Sequence, residues 1–285
     1  MGLFDSRLLD RDLSDEQVAI NYIAHSCVLV RHSKRIFLFD FFFDEVFEDG
    51  SFLGLCPLED LEDFDIYIFN SHGHGDHWSK RVLSLPPRER LYYVLSFDIA
   101  LPSCTASGQA CTASGQAGAV AGQAARGMAK PFEGHSISIC NAGNVVEVGD
   151  LRVLSPSSSD EGVAFFVEAP GFTLYHSGDN AFWDWNACRQ ADGYFKDHLQ
   201  PVIDENKSID IAFQVADPRC HETHYGGIFD ISKFLDIDLL IPIHNFNDFS
   251  HHDKMYRLVK ERHPGQNYWN VKENGRFLIH DLKRK

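Results

Sequence analysis

Three histidines and an aspartate fall within six residues at His72-Gly73-His74-Gly75-Asp76-His77, directly after the apolar run Ile66-Tyr67-Ile68-Phe69. Neutral imidazoles beside a carboxylate form the donor mix that suits Zn²⁺ or a comparable transition metal. A loop at the end of a buried strand holds such donors on a rigid base, so a metal centre is the expected chemistry. An incidental polar turn is the bland alternative. Gly73 and Gly75 are expected to give the loop unusual backbone angles that turn the neighbouring side chains inward.

One loop cannot surround a cation. Two further strand ends carry suitable groups: Phe172-Thr173-Leu174-Tyr175-His176-Ser177-Gly178-Asp179 closes in a tight turn with a carboxylate, and Leu239-Leu240-Ile241-Pro242-Ile243-His244 ends in an imidazole. Taken singly, Asp179 reads as a turn residue and His244 as a hydrogen-bonded strand-end histidine. Taken with the first cluster, they read as ligands converging on one edge of a sheet.

With H-x-H-x-D-H, a later Gly-Asp turn and a final strand-end histidine in this order, the chain resembles the metallo-β-lactamase superfamily over residues 22–244. The branch it looks nearest is that of ascorbate-phosphate-lactonase-like hydrolases, judged from His25-Ser26 after the first strand and the turn at 175–179. The resemblance implies an α/β (α+β) fold, a four-layer αββα sandwich, with two divalent ions at one edge. Zinc is the first choice, and manganese or iron are the alternatives. Carried over residue by residue, His72 and His74 hold the first ion, Asp76, His77 and His244 the second, and Asp179 bridges both. The superfamily also brings a histidine to the first ion upstream of the bridging aspartate, whereas residues 154–162 here read LSPSSSDEG. Asp160, a serine hydroxyl, a water, His135 or His224 are the candidates for that place; failing these, the first position is weak or empty.

The implied reaction is hydrolysis of an ester, lactone or phosphodiester bond in a small anionic molecule by metal-bound hydroxide. Asp76 would orient the nucleophile and shuttle its proton. Two divalent ions among four histidines and two carboxylates leave a local charge of about +2, which draws an anion even to an acidic protein. His25, Arg219 and His224 are the candidate substrate contacts, with capping and loop bonding as the alternative role. The run Phe182-Trp183-Asp184-Trp185 reads as a helix packing face.

Lysine and arginine number 26 against 41 aspartates and glutamates, a net charge of −15. That balance disfavours an RNA-processing nuclease, because a polyanion is repelled and no basic, aromatic-laced stripe is present. A catalytically degenerate binding protein of the same fold is the second alternative. The longest apolar block, 36–43, is broken by Asp40 and falls far short of the roughly 20 residues a membrane span requires. No secretory signal opens the chain, and seven cysteines form no CxxC pair, so a cytoplasmic protein without disulfides is expected. A homo-oligomer is compatible with the sequence.

A chain of 285 residues suits a single domain, 1–285, built of two related halves. Strand-like runs lie at 19–30, 36–41, 66–69, 91–95, 136–140, 145–148, 151–154, 163–167, 172–175, 209–213, 239–243 and 276–279. Helical patterns lie at 58–64, 79–85, 181–206, 227–235 and 251–263. Residues 104–117 repeat CTASGQA in tandem and a decayed copy follows, which marks 103–129 as an exposed low-complexity insertion.

Overall fold

A computed structural model describes residues 6–9, 13–44, 51–52, 56–101, 134–183, 193–217, 219–220 and 225–283. The insertion expected at 103–129 lies outside the described residues. In chain order the strands are β1 (Gln17–Ala24), β2 (Cys27–His32), β3 (Arg35–Phe39), β4 (Ser51–Phe52), β5 (Cys56–Pro57), β6 (Asp65–Asn70), β7 (Leu91–Ser96) and β8 (Ser136–Cys140). They continue with β9 (Asn144–Val148), β10 (Leu151–Ser155), β11 (Phe165–Ala169), β12 (Phe172–His176), β13 (Ile209–Val215), β14 (Ile237–Ile243), β15 (Asn267–Tyr268) and β16 (Arg276–Asp281).

Two seven-stranded sheets form, ordered β16-β1-β2-β3-β6-β7-β8 and β15-β14-β13-β12-β11-β10-β9, and β4 pairs with β5. In the first sheet β3, β6, β7 and β8 run parallel. In the second, β12, β13, β14 and β15 do. The remaining neighbours pair antiparallel. Parallel strands need both faces covered, which explains the continuous apolar runs of β6, β13 and β14.

The inner faces meet in a core that includes Val30, Phe37, Phe39, Phe69, Val153, Phe165, Leu174, Phe213 and Ile241. Each fully buried phenylalanine or leucine there contributes about 1.5–3 kcal/mol. Helices α1 (Gly193–Glu205) and α2 (His252–Arg262) cover the outer face of the second sheet through Phe195, Leu199, Val202, Met255 and Val259. The outer face of the first sheet is covered partly by 3-10 turns at Leu58–Leu61 and Lys80–Ser84, which bury Leu58, Leu61, Val82 and Leu83.

The fold class is therefore the one expected, with local differences. The patterns at 58–64 and 79–85 give 3-10 turns because such short segments, bounded by Pro57 and by Pro86-Pro87, cannot repay α-helix nucleation. The run 19–30 is two strands, split by a hairpin at His25-Ser26 with His25 at φ 54°. The pattern 181–206 yields α1 from Gly193 only, while Ala181 to Trp183 are not helical and 184–192 lie outside the described residues. Among the described residues no helix is long and apolar enough to cross a membrane, and Cys27, Cys56 and Cys140 are free.

Candidate metal centre

Ligands in sheets of this kind gather beyond the carboxyl ends of parallel strands. Asp40 follows β3, His72 to His77 follow β6, Asp179 follows β12, Asp217 follows β13 and His244 follows β14. The hairpin after β1 adds His25. Left-handed backbone angles occur at His25 (φ 54°), Asp40 (φ 45°) and His244 (φ 69°). Such angles cost about 1–3 kcal/mol each in residues with a Cβ, and their concentration here marks a site held in place by its surroundings.

Asp179 is the hub. Its Oδ1 lies 3.2 Å from His77 Nε2 and 3.3 Å from His244 Nε2, and its Oδ2 lies 3.5 Å from His72 Nε2. His72 Nε2 in turn stands 3.1 Å from His74 Nδ1. Donors sharing an ion at bond lengths of about 2.0–2.1 Å are separated by about 3–3.5 Å. His77 Nε2 and Asp179 Oδ1 are buried without a hydrogen-bond partner, a costly state unless a ligand satisfies them. Donor atoms of His25, Asp76, His77 and His244 lie within 4.8 Å of one another, and so do those of His72, His77 and Asp179. The residues present fit a metal centre.

The outward nitrogens are held by carboxylates. His77 Nδ1 meets Asp40 Oδ2 at 2.8 Å, and Asp40 also accepts from the Ser71 backbone N–H (2.7 Å) and hydroxyl (2.9 Å). His244 Nδ1 meets Asp217 Oδ2 at 2.8 Å, and Arg219 grips Asp217 with Nε and Nη2. His74 Nε2 meets Glu161 Oε2 at 3.1 Å. A carboxylate that accepts a hydrogen bond from one ring N–H fixes the proton there and leaves the other nitrogen's lone pair facing inward.

These contacts also set the protonation of the site. Burial works to lower the pKa of His244, but Asp179 and Asp217 prevail and push it up to about 9. His77 is likewise raised, by Asp179 and Asp40 against burial. Burial opposes the ionised form of Asp179, yet His77 and His244 hold it well below the carboxylate range. Asp217 is held at about 2 against its own burial by His244 and Arg219. A cation must displace the protons these pairs retain.

Gly73 and Gly75 do not adopt the unusual angles expected of them; the left-handed glycines at the site are Gly162 (φ 67°) and Gly178 (φ 50°). Gly162 packs so closely that a Cβ would fall 2.0 Å from the Ser71 carbonyl oxygen and 2.5 Å from His72 Cβ. The Val163 N–H reinforces the contact by donating to the Ser71 carbonyl at 3.0 Å. This docking brings Glu161 to His74 in the segment where the resemblance called for a histidine. Asp160 lies nearby, and burial together with Asp179 and Glu161 raises its pKa. His135 instead meets the Leu85 carbonyl at 3.0 Å and the Tyr93 ring.

The other expected residues occupy definite places. His74 is half-exposed and adjoins His72 without joining the tightest donor groups. Arg219 lies over the rings of Phe246 (4.6 Å) and Trp183 (5.6 Å), behind His244. His25 is buried beside Asp76, below the rim position its sequence context suggests. His224 lies outside the described residues. Trp183 is not part of a helix face: its indole N–H donates to the Asp179 carbonyl at 2.9 Å and its ring stands 5.4 Å from His244. A buried indole needs such an acceptor, and the tight turn supplies it. Phe182 does pack, against Phe195. Asp40, Asp217 and Glu161 are supports that sequence reasoning missed, although Asp40 and Asp217 share the mark used to find Asp179, a carboxylate at the end of an apolar run.

No family model and no curated protein matches the sequence. Among solved structures the chain is similar to Igni18, a metallo hydrolase from the archaeon Ignicoccus hospitalis, with a TM-score of 0.57 and 13% identity over 94% of this chain and 100% of that one. It is similar to the metallo-β-lactamase fold protein YhfI from Bacillus subtilis, with a TM-score of 0.53 and 13% identity over 93% and 100% of the two chains. It also resembles CmlA, a diiron β-hydroxylase from Streptomyces venezuelae, with a TM-score of 0.52 and 13% identity over 95% of this chain but 55% of that one. At this identity the likeness establishes the fold: the chain has the metallo-β-lactamase fold.

Proposed function

We propose that the protein is a metal-dependent hydrolase of the lactonase-like branch, acting on an ester, lactone or phosphodiester bond of a small anionic molecule. The observation that carries this reading is the arrangement around Asp179, whose two oxygens face His77 and His244 on one side and His72 on the other. Such a carboxylate would serve two ions, His72 and His74 holding one and Asp76, His77 and His244 the other. Bound divalent ions, zinc first and manganese or iron as alternatives, supply the Lewis acidity that makes water a nucleophile at neutral pH.

The chain's own residues do the rest. Asp40 and Asp217 fix the rings of His77 and His244. His25, with Nε2 3.4 Å from Asp76 Oδ2, holds that carboxyl far below its ordinary range, so Asp76 stays ionised to accept a hydrogen bond from the attacking water and orient it. Sharing a fold with a metallo hydrolase supports the reaction class by analogy and leaves the substrate to be found.

The test is substitution. His77→Ala and Asp179→Ala should reduce metal content and bring turnover of a chromogenic phosphodiester and a lactone to background, with circular dichroism unchanged. Wild-type turnover in both variants would reject the site.

A further inference from the structure

His25 sits on the hairpin between β1 and β2 and is 3% exposed. Its carbonyl accepts from the Tyr22 hydroxyl at 2.8 Å and from the His244 backbone N–H at 3.0 Å, which pins its backbone to the site. Its ring is packed 4.1 Å from those of both His244 and Phe246. The residue belongs to the donor group of Asp76, His77 and His244, where one more ligand could stand.

One ring nitrogen argues against coordination. Nδ1 accepts the backbone N–H of Phe246 at 3.2 Å. A ring that accepts at Nδ1 carries its proton on Nε2, and a protonated nitrogen has no lone pair to give a cation. Nε2 lies 3.4 Å from Asp76 Oδ2.

We propose that His25 is a positioning residue and not a ligand: its Nε2–H, facing Asp76 Oδ2, holds the Asp76 carboxylate in its working orientation. The proposal rests on the metal-hydrolase reading and gives Asp76 a fixed support where the other ligand carboxylate, Asp179, is held by ligand histidines. Backbone pinning and ring packing make the donor rigid, which a support must be to orient a ligand.

The deciding experiment loads the full chain, labelled with ¹⁵N-histidine, with ¹¹³Cd. His77 and His244 should show ¹¹³Cd–¹⁵N coupling, whereas His25 should show none and should carry its proton on Nε2. Coupling at His25 overturns the proposal. His25→Leu should keep full metal content and lose about 10–100-fold in kcat, with KM little changed. His25→Gln, whose amide N–H can replace the donor, should recover part of that loss. An ion lost from His25→Leu as completely as from His77→Ala overturns the proposal, and so does equal kcat in all three proteins. If the wild type binds cadmium but hydrolyses nothing, the hydrolase reading fails and the coupling pattern still decides the role of His25. If it takes up no cadmium, both fall.

Discussion

Gly162→Ala tests whether the loop before β11 is what sets the first metal position. Gly162 has φ 67°, and an added Cβ would stand 2.0 Å from the Ser71 carbonyl oxygen and 2.5 Å from His72 Cβ. The left-handed conformation costs an L-residue about 1–2 kcal/mol. Forcing a methyl group into packed backbone adds about 1–3 kcal/mol. The combined loss of about 2–5 kcal/mol corresponds, at about 2 °C per kcal/mol for a chain of this size, to a Tm lower by about 4–10 °C. Relief requires the loop to move away from His72, taking Glu161 from His74, so affinity for the first ion should fall while the second is retained. Gly75→Ala is the control, since a Cβ there meets nothing within 4 Å, and its Tm should stay within about 1 °C of wild type. Differential scanning calorimetry and metal titration of both variants decide the matter. A Gly162→Ala protein with wild-type Tm and two equally tight ions would refute the reasoning.

Asp217→Asn should weaken the second ion by about 10–100-fold, because an amide secures the His244 tautomer less firmly than a carboxylate does; competition titration against a chelator measures it, and unchanged affinity would reject the support role. Stability of the metal-free protein should decline at alkaline pH. His244 is raised from 6.5 to about 9, so its contribution is complete below about pH 6.5 and disappears as pH rises through about 9. Asp217 acts in the opposite window: lowered from 3.8 to about 2, it stabilises above about pH 4 and stops doing so as pH falls through about 2. Urea unfolding across pH checks both, and a His244→Gln protein with the same alkaline decline as wild type would exclude His244 as its source.

The residues gathered around Asp179 were legible because metal coordination restricts donors to a few types, here at the ends of apolar strands. Asp179 and His244 are far from His72 in sequence, yet the same rule finds all three. The supports follow the rule only in part. Asp40 interrupts an apolar block, a signal that was visible as an interruption and not as a function. Asp217 ends β13 in the same manner. Glu161 follows no periodicity at all: its position depends on the close contact of Gly162 with Ser71 and His72, which no spacing encodes. The fold divides likewise. Long buried runs such as β6, β13 and β14 were readable, whereas Leu58–Leu61 and Lys80–Ser84 carry helical spacing in segments whose length, not pattern, decides their form.

Those supports also change the electrostatics inferred from the ligands alone. Two ligand carboxylates against two divalent ions would leave an excess positive charge, and on that count the field of the site would draw in an anionic substrate. Asp40 and Asp217 are wholly buried against His77 and His244, and with Asp76 and Asp179 they would balance the two divalent ions of the proposed centre. Glu161 at His74 offsets Arg219 at Asp217. A neutral cluster set in a protein of net charge −15 exerts little long-range pull on an anion. In the proposed hydrolase, selection of an anionic group would therefore fall to direct contact with the ions beside His74 and Asp76, whose side chains are 49% and 37% exposed.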